Sequence, residues 1–572
     1  MSDRLVQALR REFGETILAT DDHCQDLHVR VAADRLPAVL GYLKTREDCT
    51  LLGDVIGIDY PERAQRFEVV YYLRSLSLPR QVWVQVGVAE GEAVPSATGL
   101  FRSADWHERE VYDLFGVPFA NHPDLRRILC HHEFEGHALR KDYPIEQGQE
   151  LGEPEKLYSD RDIARAAHRA SLARNPAGAG DEIHATDLLT VNLGPSHPAM
   201  HGCLRAEVLL DGETIVDARA EIGYLHRCFE KEAEDHTWAQ VMPYTDRLNY
   251  CSPLLNNVIY ALAVEKLLEI EVPPRCKAIR VIVSELSRII DHLVCVGTNL
   301  VDMGALTMYW YTFNVREAMY EIIEHLCGSR LTTNYARIGG LSHDLYPGFE
   351  AEVRAKLAML DEAVTEVVKL AARNRIFLDR TLGIGAISRD DAVSHGFTGP
   401  CLRACGVAYD ARKLHPHLDY QEYDFDVPTG EDGDTHSRIM VRFAEMIQSK
   451  RIIEQALRRL PAGPVNVDDP RVVLPPKEKV YGSIEGVMNQ FKLIYEGIRV
   501  PAGTAYGFGE GGNGELGFYC VADGSGRPYR MKVRPPCFPV FGAYPRIIRG
   551  GMISDAIATL GSLNIIAGEL DR

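Results

Sequence analysis

From Asn257 to Asn374 apolar residues return at helical spacing almost without interruption, as in Ile279, Ile282, Leu286, Ile289, Ile290 and Leu293. A stripe of that length is stable only when other helices cover it, so the segment predicts a helical bundle, joined by a further helix from Ser437 to Leu460. None of these helices is expected to cross a membrane. A span needs about 18 uninterrupted apolar residues, and even Val258–Leu268 is cut by Glu265 and Lys266.

A bundle of this size does not account for 572 residues, which exceed what one hydrophobic core supports. Residues Met1 to Phe13 mix Arg10, Arg11 and Glu12 with apolar positions at helical spacing, which predicts an amphipathic first helix and no export signal. Up to about Tyr143, helical stretches alternate with Phe67–Leu73 and Val82–Val86, whose β-branched and aromatic residues predict strands. The run from Pro144 to Thr186 turns charged and small, with a helix-compatible piece over Lys156–Arg174, and reads as a linker with one exposed helix. Beyond it, Leu188–Leu193 and the alternating Leu204, Ala206, Val208 and Leu210 up to Asp211-Gly212 predict β-hairpins. After Val480, Gly-rich and strand-like pieces including Leu516–Ala522 predict a small β-rich cap. The expected class is α+β, with a small α+β domain over 1–145, a linker over 146–185 and a larger domain over 186–572.

The formal net charge of -18 opposes non-specific attraction to nucleic acid or to anionic lipid, so no nucleic-acid partner is expected. The 13 cysteines are scattered with no C-x-x-C pair, which fits a reducing compartment rather than a disulfide framework.

Several constellations carry candidate chemistry. Gly194-Pro195-Ser196-His197-Pro198-Ala199-Met200-His201-Gly202 spaces two histidines by four, but Pro198 and the flanking glycines oppose a helix, and the Glu of a zinc-binding His-Glu-x-x-His is missing. A tight loop between strands can instead project one imidazole into a cleft while the other braces it; the plainer reading is two surface loop histidines. Tyr244–Tyr250 leads into the helix of Asn256 and Asn257, and a buried tyrosine there needs a partner for its hydroxyl. Asp302 sits in an otherwise apolar helical run and needs either a helix cap or a histidine. Gly507-Phe508-Gly509-Glu510-Gly511-Gly512 matches Gly-x-Gly-x-x-Gly, but with no clear strand before it, no helix after it, and Glu510 and Glu515 set against pyrophosphate, it is not read as a nucleotide site. Cys401-x-x-x-Cys405 and Cys130-His131-His132 lack a second ligand pair and read as ordinary thiols and polar residues.

Trp106-His107-Glu108-Arg109-Glu110-Val111-Tyr112-Asp113-Leu114-Phe115-Gly116, then His122–Leu129 and Leu139-Arg140-Lys141-Asp142-Tyr143-Pro144, resemble the signature of the C-type subunit of respiratory NADH:quinone oxidoreductase, complex I. From about Thr186 to Arg572 the chain resembles the D-type subunit, through Gly194–Gly202, Ile222–Arg227, Asp246–Tyr250, Ala263–Leu267, Arg337-Ile338-Gly339-Gly340 and Gly568-Glu569-Leu570-Asp571-Arg572. A fused C/D subunit is the expectation.

The D-type subunit is similar in fold to the large subunit of nickel–iron hydrogenases, with N-terminal hairpins and a helical bundle, whose metal is held by two C-x-x-C pairs. Here the first pair is matched by Arg247-Leu248-Asn249-Tyr250-Cys251-Ser252 with a single thiol, and no cysteine follows Cys537. Thiolates are what such a centre needs, so a hydrogenase-type subunit is disfavoured and no metal is expected. The resemblance implies instead that His201 and Tyr250 bind the carbonyls of a quinone, with Asp302 paired to His201 and raising its pKa by about 1–3 units. It implies that the chain binds no cofactor alone. A B-type iron–sulfur subunit would bring a 4Fe-4S cluster near His226, Arg227 and Arg247. An I-type subunit, a membrane H-type subunit and the NADH-oxidising module complete the implied partners, on the cytoplasmic face of a bacterial inner membrane, with quinone reduction coupled to proton translocation. An inert scaffold between the peripheral and membrane arms is the other alternative. Three positions depart from the family pattern. Thr332 stands where several members have a histidine, which implies a lower and less pH-dependent cluster potential and favours menaquinone over ubiquinone. Asn249 replaces a commonly acidic residue, and Cys228 a common glycine.

Overall fold

The computed structural model describes residues 2–23, 26–149 and 188–572. The helix expected over residues 156–174 lies outside them. The first helix, α1 (Ser2–Phe13), is amphipathic as expected and buries Leu5 and Leu9. It is followed by β1 (Ile17–His23), β2 (Asp26–Val31), α2 (Leu36–Arg46), β3 (Leu51–Asp59), β4 (Phe67–Arg74), β5 (Gln81–Val88) and α3 (Ala104–Phe115). The strands form one sheet in the order β1-β2-β5-β4-β3, antiparallel except between β2 and β5. Period-two alternation on β4 explains why both faces are apolar: Val69, Tyr71 and Leu73 pack with Val39, Leu40 and Leu43 of α2, while Val70 and Tyr72 point the other way.

The expected hairpins are Leu189–Leu193, Arg205–Asp211 and Thr214–Glu221, an antiparallel meander turning at Asp211-Gly212. The expected bundle comprises Pro253–Leu268, Pro274–Asp302, Leu306–Cys327, Phe349–Ala371 and Thr435–Arg458. Its longest member, Pro274–Asp302, runs for 29 residues and buries the whole stripe from Ile279 to Leu293. Its interior also holds charge. Arg403 donates to Glu445 and to Glu510 at 2.7 Å each, His292 lies 2.9 Å from Glu445, and Arg412 lies 3.0 Å from Glu285, all of them buried. Buried charges persist only when paired in this way.

The end of the chain differs from expectation. Gly503–Glu510, Glu515–Ala522 and Arg530–Arg534 do form a three-stranded sheet, but it is an interior layer rather than a cap. One face packs on the Pro253–Leu268 helix, closely enough that a Cβ at Gly507 would lie 2.3 Å from Ala263 Cα. The other meets the N-terminal sheet. Trp83 stacks on Tyr72 with ring centroids 4.1 Å apart and contacts Tyr519 at 4.9 Å and Tyr506 at 5.0 Å. Buried ion pairs cross the same seam: Arg74 with Glu515, Lys532 with Glu110, and Arg572 with Glu110 at 2.9 Å. The chain then closes on helices, the last being Ala567–Asp571, with Arg572 buried. Among the described residues no helix is long and apolar enough to cross a membrane.

Gly-x-Gly-x-x-Gly also acquires a structural reason. It runs through the end of the Gly503–Glu510 strand into its turn, where a Cβ on Gly512 would meet Asp291 Oδ2 at 1.6 Å. Glu510 and Glu515 are ion-paired to Arg403 and Arg74. The glycines permit close packing.

Candidate functional site

The loop between Leu189–Leu193 and Arg205–Asp211 is shaped by steric exclusion. Gly194 has φ +82°, and a Cβ there would lie 2.2 Å from the Leu204 carbonyl oxygen, so only glycine fits. Met200 is fully buried and anchors the loop. His197 braces it, its Nδ1 accepting from the Ala199 N–H at 3.2 Å, while His201, at φ +57°, leaves its side chain exposed at the rim. The protein surrounding the His201 ring still pushes its pKa down through lost solvation, and no charged neighbour among the described residues counters that.

Tyr250 lies just before the Pro253–Leu268 helix, half-buried against the same core that takes up Met200 and Cys203. Burial pushes its phenol well up, with Cys251, Cys203, Cys537 and Asp291 adding to the effect. The loop and Tyr250 thus approach each other through Cys203, two residues past His201. Asp302 is the last residue of the Pro274–Asp302 helix and faces the same loop. Burial raises its carboxyl to about 6, and the charge acting against that shift is His197. The expected Asp302–His201 pair is therefore not formed. The charge that reaches Asp302 is that of the bracing histidine, and the pKa of His201 falls instead of rising.

The three expected cationic residues do come together. Arg227 and Arg247 are both exposed, and partial burial followed by the field of Arg247 lowers the pKa of Arg227. His226 lies beside them, Nδ1 2.8 Å from the Asp571 carbonyl and Nε2 3.7 Å from Cys228 Sγ. Burial opposes charge on that ring, but Cys228 and Asp571 overcome it and carry the pKa up to about 9. Arg227 is further held by the chain end, its N–H donating to the Arg572 carbonyl at 3.2 Å.

Two acids behind the site have no distinguishing sequence signal. Asp246 is buried, accepts from Asn257 Nδ2 at 2.7 Å, and is raised by burial to about 6. Asp291 accepts from Asn249 at 2.9 Å and from Asn564 at 3.0 Å. Asp246 pairs eleven residues along the chain, whereas Asp291 sits in an apolar stripe and its partners are 42 and 273 positions away. Two groups have ligand atoms close enough for a metal. His131, His132 and Glu133 lie mostly at the surface, while Asp54, His107 and Glu110 are buried but share Lys532 as their cation. Cys401 and Cys405 are buried, Cys405 Sγ donating to the Cys401 carbonyl at 3.3 Å.

Comparison with known proteins gives the chain its relatives. The family described as respiratory-chain NADH dehydrogenase, 30 Kd subunit, matches residues 29–149, and the 49 Kd subunit family matches residues 302–572. The chain is 48% identical over 544 residues to the C/D subunit of NADH-quinone oxidoreductase from Bdellovibrio bacteriovorus, covering 95% of both proteins. It is 40% identical over 554 residues to the C/D subunit from Nitrosospira multiformis, covering 95% of this chain and 90% of that one. The D 1 subunit of NADH-quinone oxidoreductase from Sorangium cellulosum is 52% identical over 385 residues, which is 67% of this chain and 95% of that protein. With both halves matched and the order of halves preserved, the chain belongs to the family of fused NADH-quinone oxidoreductase C/D subunits.

Proposed function

We propose that this chain forms the quinone head-group site of a proton-translocating NADH:quinone oxidoreductase, between His201 on the 194–202 loop and Tyr250, with Asp302 facing the loop at His197. The observation that supports this reading is that the 194–203 loop reaches both other groups, Cys203 acting on Tyr250 and His197 acting on Asp302.

Reduction of a quinone to a quinol takes up two electrons and two protons. Tyr250, with its pKa pushed up, holds its proton and donates a hydrogen bond until a strongly basic oxyanion develops. His201, neutral near pH 7, has one N–H to donate. Asp302, titrating near 6, is the group here whose proton is exchangeable close to neutral pH. The edge formed by His226, Arg227 and Arg247 suits an anionic redox group on an adjoining B-type subunit, from which the electrons come. Thr332, exposed with its hydroxyl 3.2 Å from that of Ser329, stands where several family members carry a titrating histidine, so the potential of that group is expected to be lower and to vary less with pH; a steep slope in a redox titration would count against this.

We read residues 1–145 and 186–572 as the two domains, the second as a hydrogenase-like scaffold without its metal ligands. Support comes from the order of elements in the second, antiparallel hairpins ahead of a helical bundle, which is the order that reading expects. Assembly with other subunits at the cytoplasmic face of a membrane is supported by the helix Ile484–Tyr495, whose Ile484, Val487, Met488, Phe491, Ile494 and Tyr495 are all exposed.

The deciding experiment is Tyr250→Phe in the assembled complex. Electron entry from NADH to the terminal cluster should persist while quinone reduction falls about 100-fold. Unchanged quinone turnover would refute the site.

A further inference from the structure

A cavity of about 580 Å³ lies on the seam, lined from both halves: Leu5 of α1 and Gln81 of β5 on one side, Lys266, Phe508, His415 and His417 on the other. Its size falls in the range of small-molecule sites. Two features set its chemistry. His415 Nε2 and His417 Nδ1 are buried and have no hydrogen-bond partner among the described residues, an unfavourable state that a ligand would relieve. Among the described residues the lining also contains Lys266 and Arg80 but no carboxylate. The nearby acids are engaged outside it, Asp26 with Lys266 at 2.8 Å and Glu47 with Arg80 at 2.7 Å.

The field is correspondingly positive. Burial lowers the His415 pKa to about 3, with Arg74, His417 and Lys266 adding to the effect and Glu515 opposing it. Burial lowers that of His417 to about 4, with Arg412 and Arg288 reinforcing and the His415 backbone and Asp410 opposing. Neutral imidazoles would suit a metal ion, but the surrounding cations repel one. A phosphoryl group suits His415 and the cations, a hydroxyl or amino donor on the same ligand suits His417, whose own N–H goes to the His415 backbone, and Leu5, Leu262, Leu414 and Phe508 provide an apolar wall for an organic body.

We propose that this seam cavity binds a small organic phosphate of nucleotide size, a phosphoryl oxygen accepting from the unpartnered His415 Nε2 beside Lys266 and Arg80 while the unpartnered His417 Nδ1 accepts from a hydroxyl or amino group of the organic body. The site joins the two halves of the chain and is independent of the quinone reading.

The test is calorimetric titration of the full chain with adenosine monophosphate and with inorganic phosphate. Adenosine monophosphate should bind more tightly than phosphate, and His415→Ala/His417→Ala should weaken it at least about tenfold. No binding of either probe by the wild type, or equal affinity in the double variant, would overturn the proposal. So would zinc binding that depends on the two histidines without phosphate binding. If the double variant melts early, cryo-electron microscopy of the intact complex with adenosine monophosphate decides instead: density in the cavity supports the site, and an empty cavity overturns it.

Discussion

Asn249 donates its side-chain amide to Asp291 at 2.9 Å while its Oδ1 accepts from the Cys251 N–H at 3.1 Å, so one side chain clamps the backbone on both sides of Tyr250. The family's commoner acid at this position would face a carboxylate. Asn249→Asp is therefore expected to destabilise the chain by about 2–4 kcal/mol at pH 8, because two buried carboxylates at that separation cannot both ionise. Near pH 5 the loss should shrink, since one of them is then protonated. Urea unfolding at both values checks the sign, and a larger loss at pH 5 would contradict the geometry.

Asp302 offers a kinetic reading. With its pKa near 6, the protonated fraction falls as pH rises through that value. If its proton is used, quinone reduction should decline between pH 6 and 8 along that titration, and Asp302→Asn should flatten this limb while lowering the rate. The stability effect has a fixed sign: a raised carboxyl favours folding fully below its unfolded value, about 4, and loses that contribution as pH rises through about 6. Protein crowds one side of the carboxyl and solvent still reaches the residue, so the stability change should be small.

Arg403 is the cation on which two buried carboxylates depend at once. Arg403→Met leaves Glu445 and Glu510 buried with one fewer partner and should destabilise by about 3–5 kcal/mol. Adding Glu510→Gln should recover part of that loss, a non-additivity that a double-mutant cycle measures.

What is legible in the sequence follows from how local each cause is. The bundle and the hairpins are readable because periodicity, and a turn such as Asp211-Gly212, act within a few residues. The position of the Gly503–Arg534 sheet is not. Tyr506 and Tyr519 are buried by Trp83, a residue more than 400 positions away, so a strand-rich ending reads as a cap. The site residues come from family likeness, which carries residue identity but not geometry. Asp302 is recognisable in that way, and its place beside His197 instead of His201 is not. The paired arginines of the core leave no local trace either, since an arginine destined for burial carries no sequence mark.

The stacked Tyr72, Trp83, Tyr506 and Tyr519 and the ion pairs beside them have a consequence for what the covalent join does. The D 1 subunit from Sorangium cellulosum aligns with 67% of this chain over 95% of its own length, so the larger half of this chain is matched by a protein without the smaller one. An interface with its own aromatic core adheres without a tether; the peptide between the halves raises their effective concentration and fixes their stoichiometry at one to one. Proteolysis confined to residues 150–187 should then yield two fragments that co-elute and melt together, whereas Trp83→Ala in the nicked protein should let them part. The fusion supplies proximity, and the seam supplies the bond.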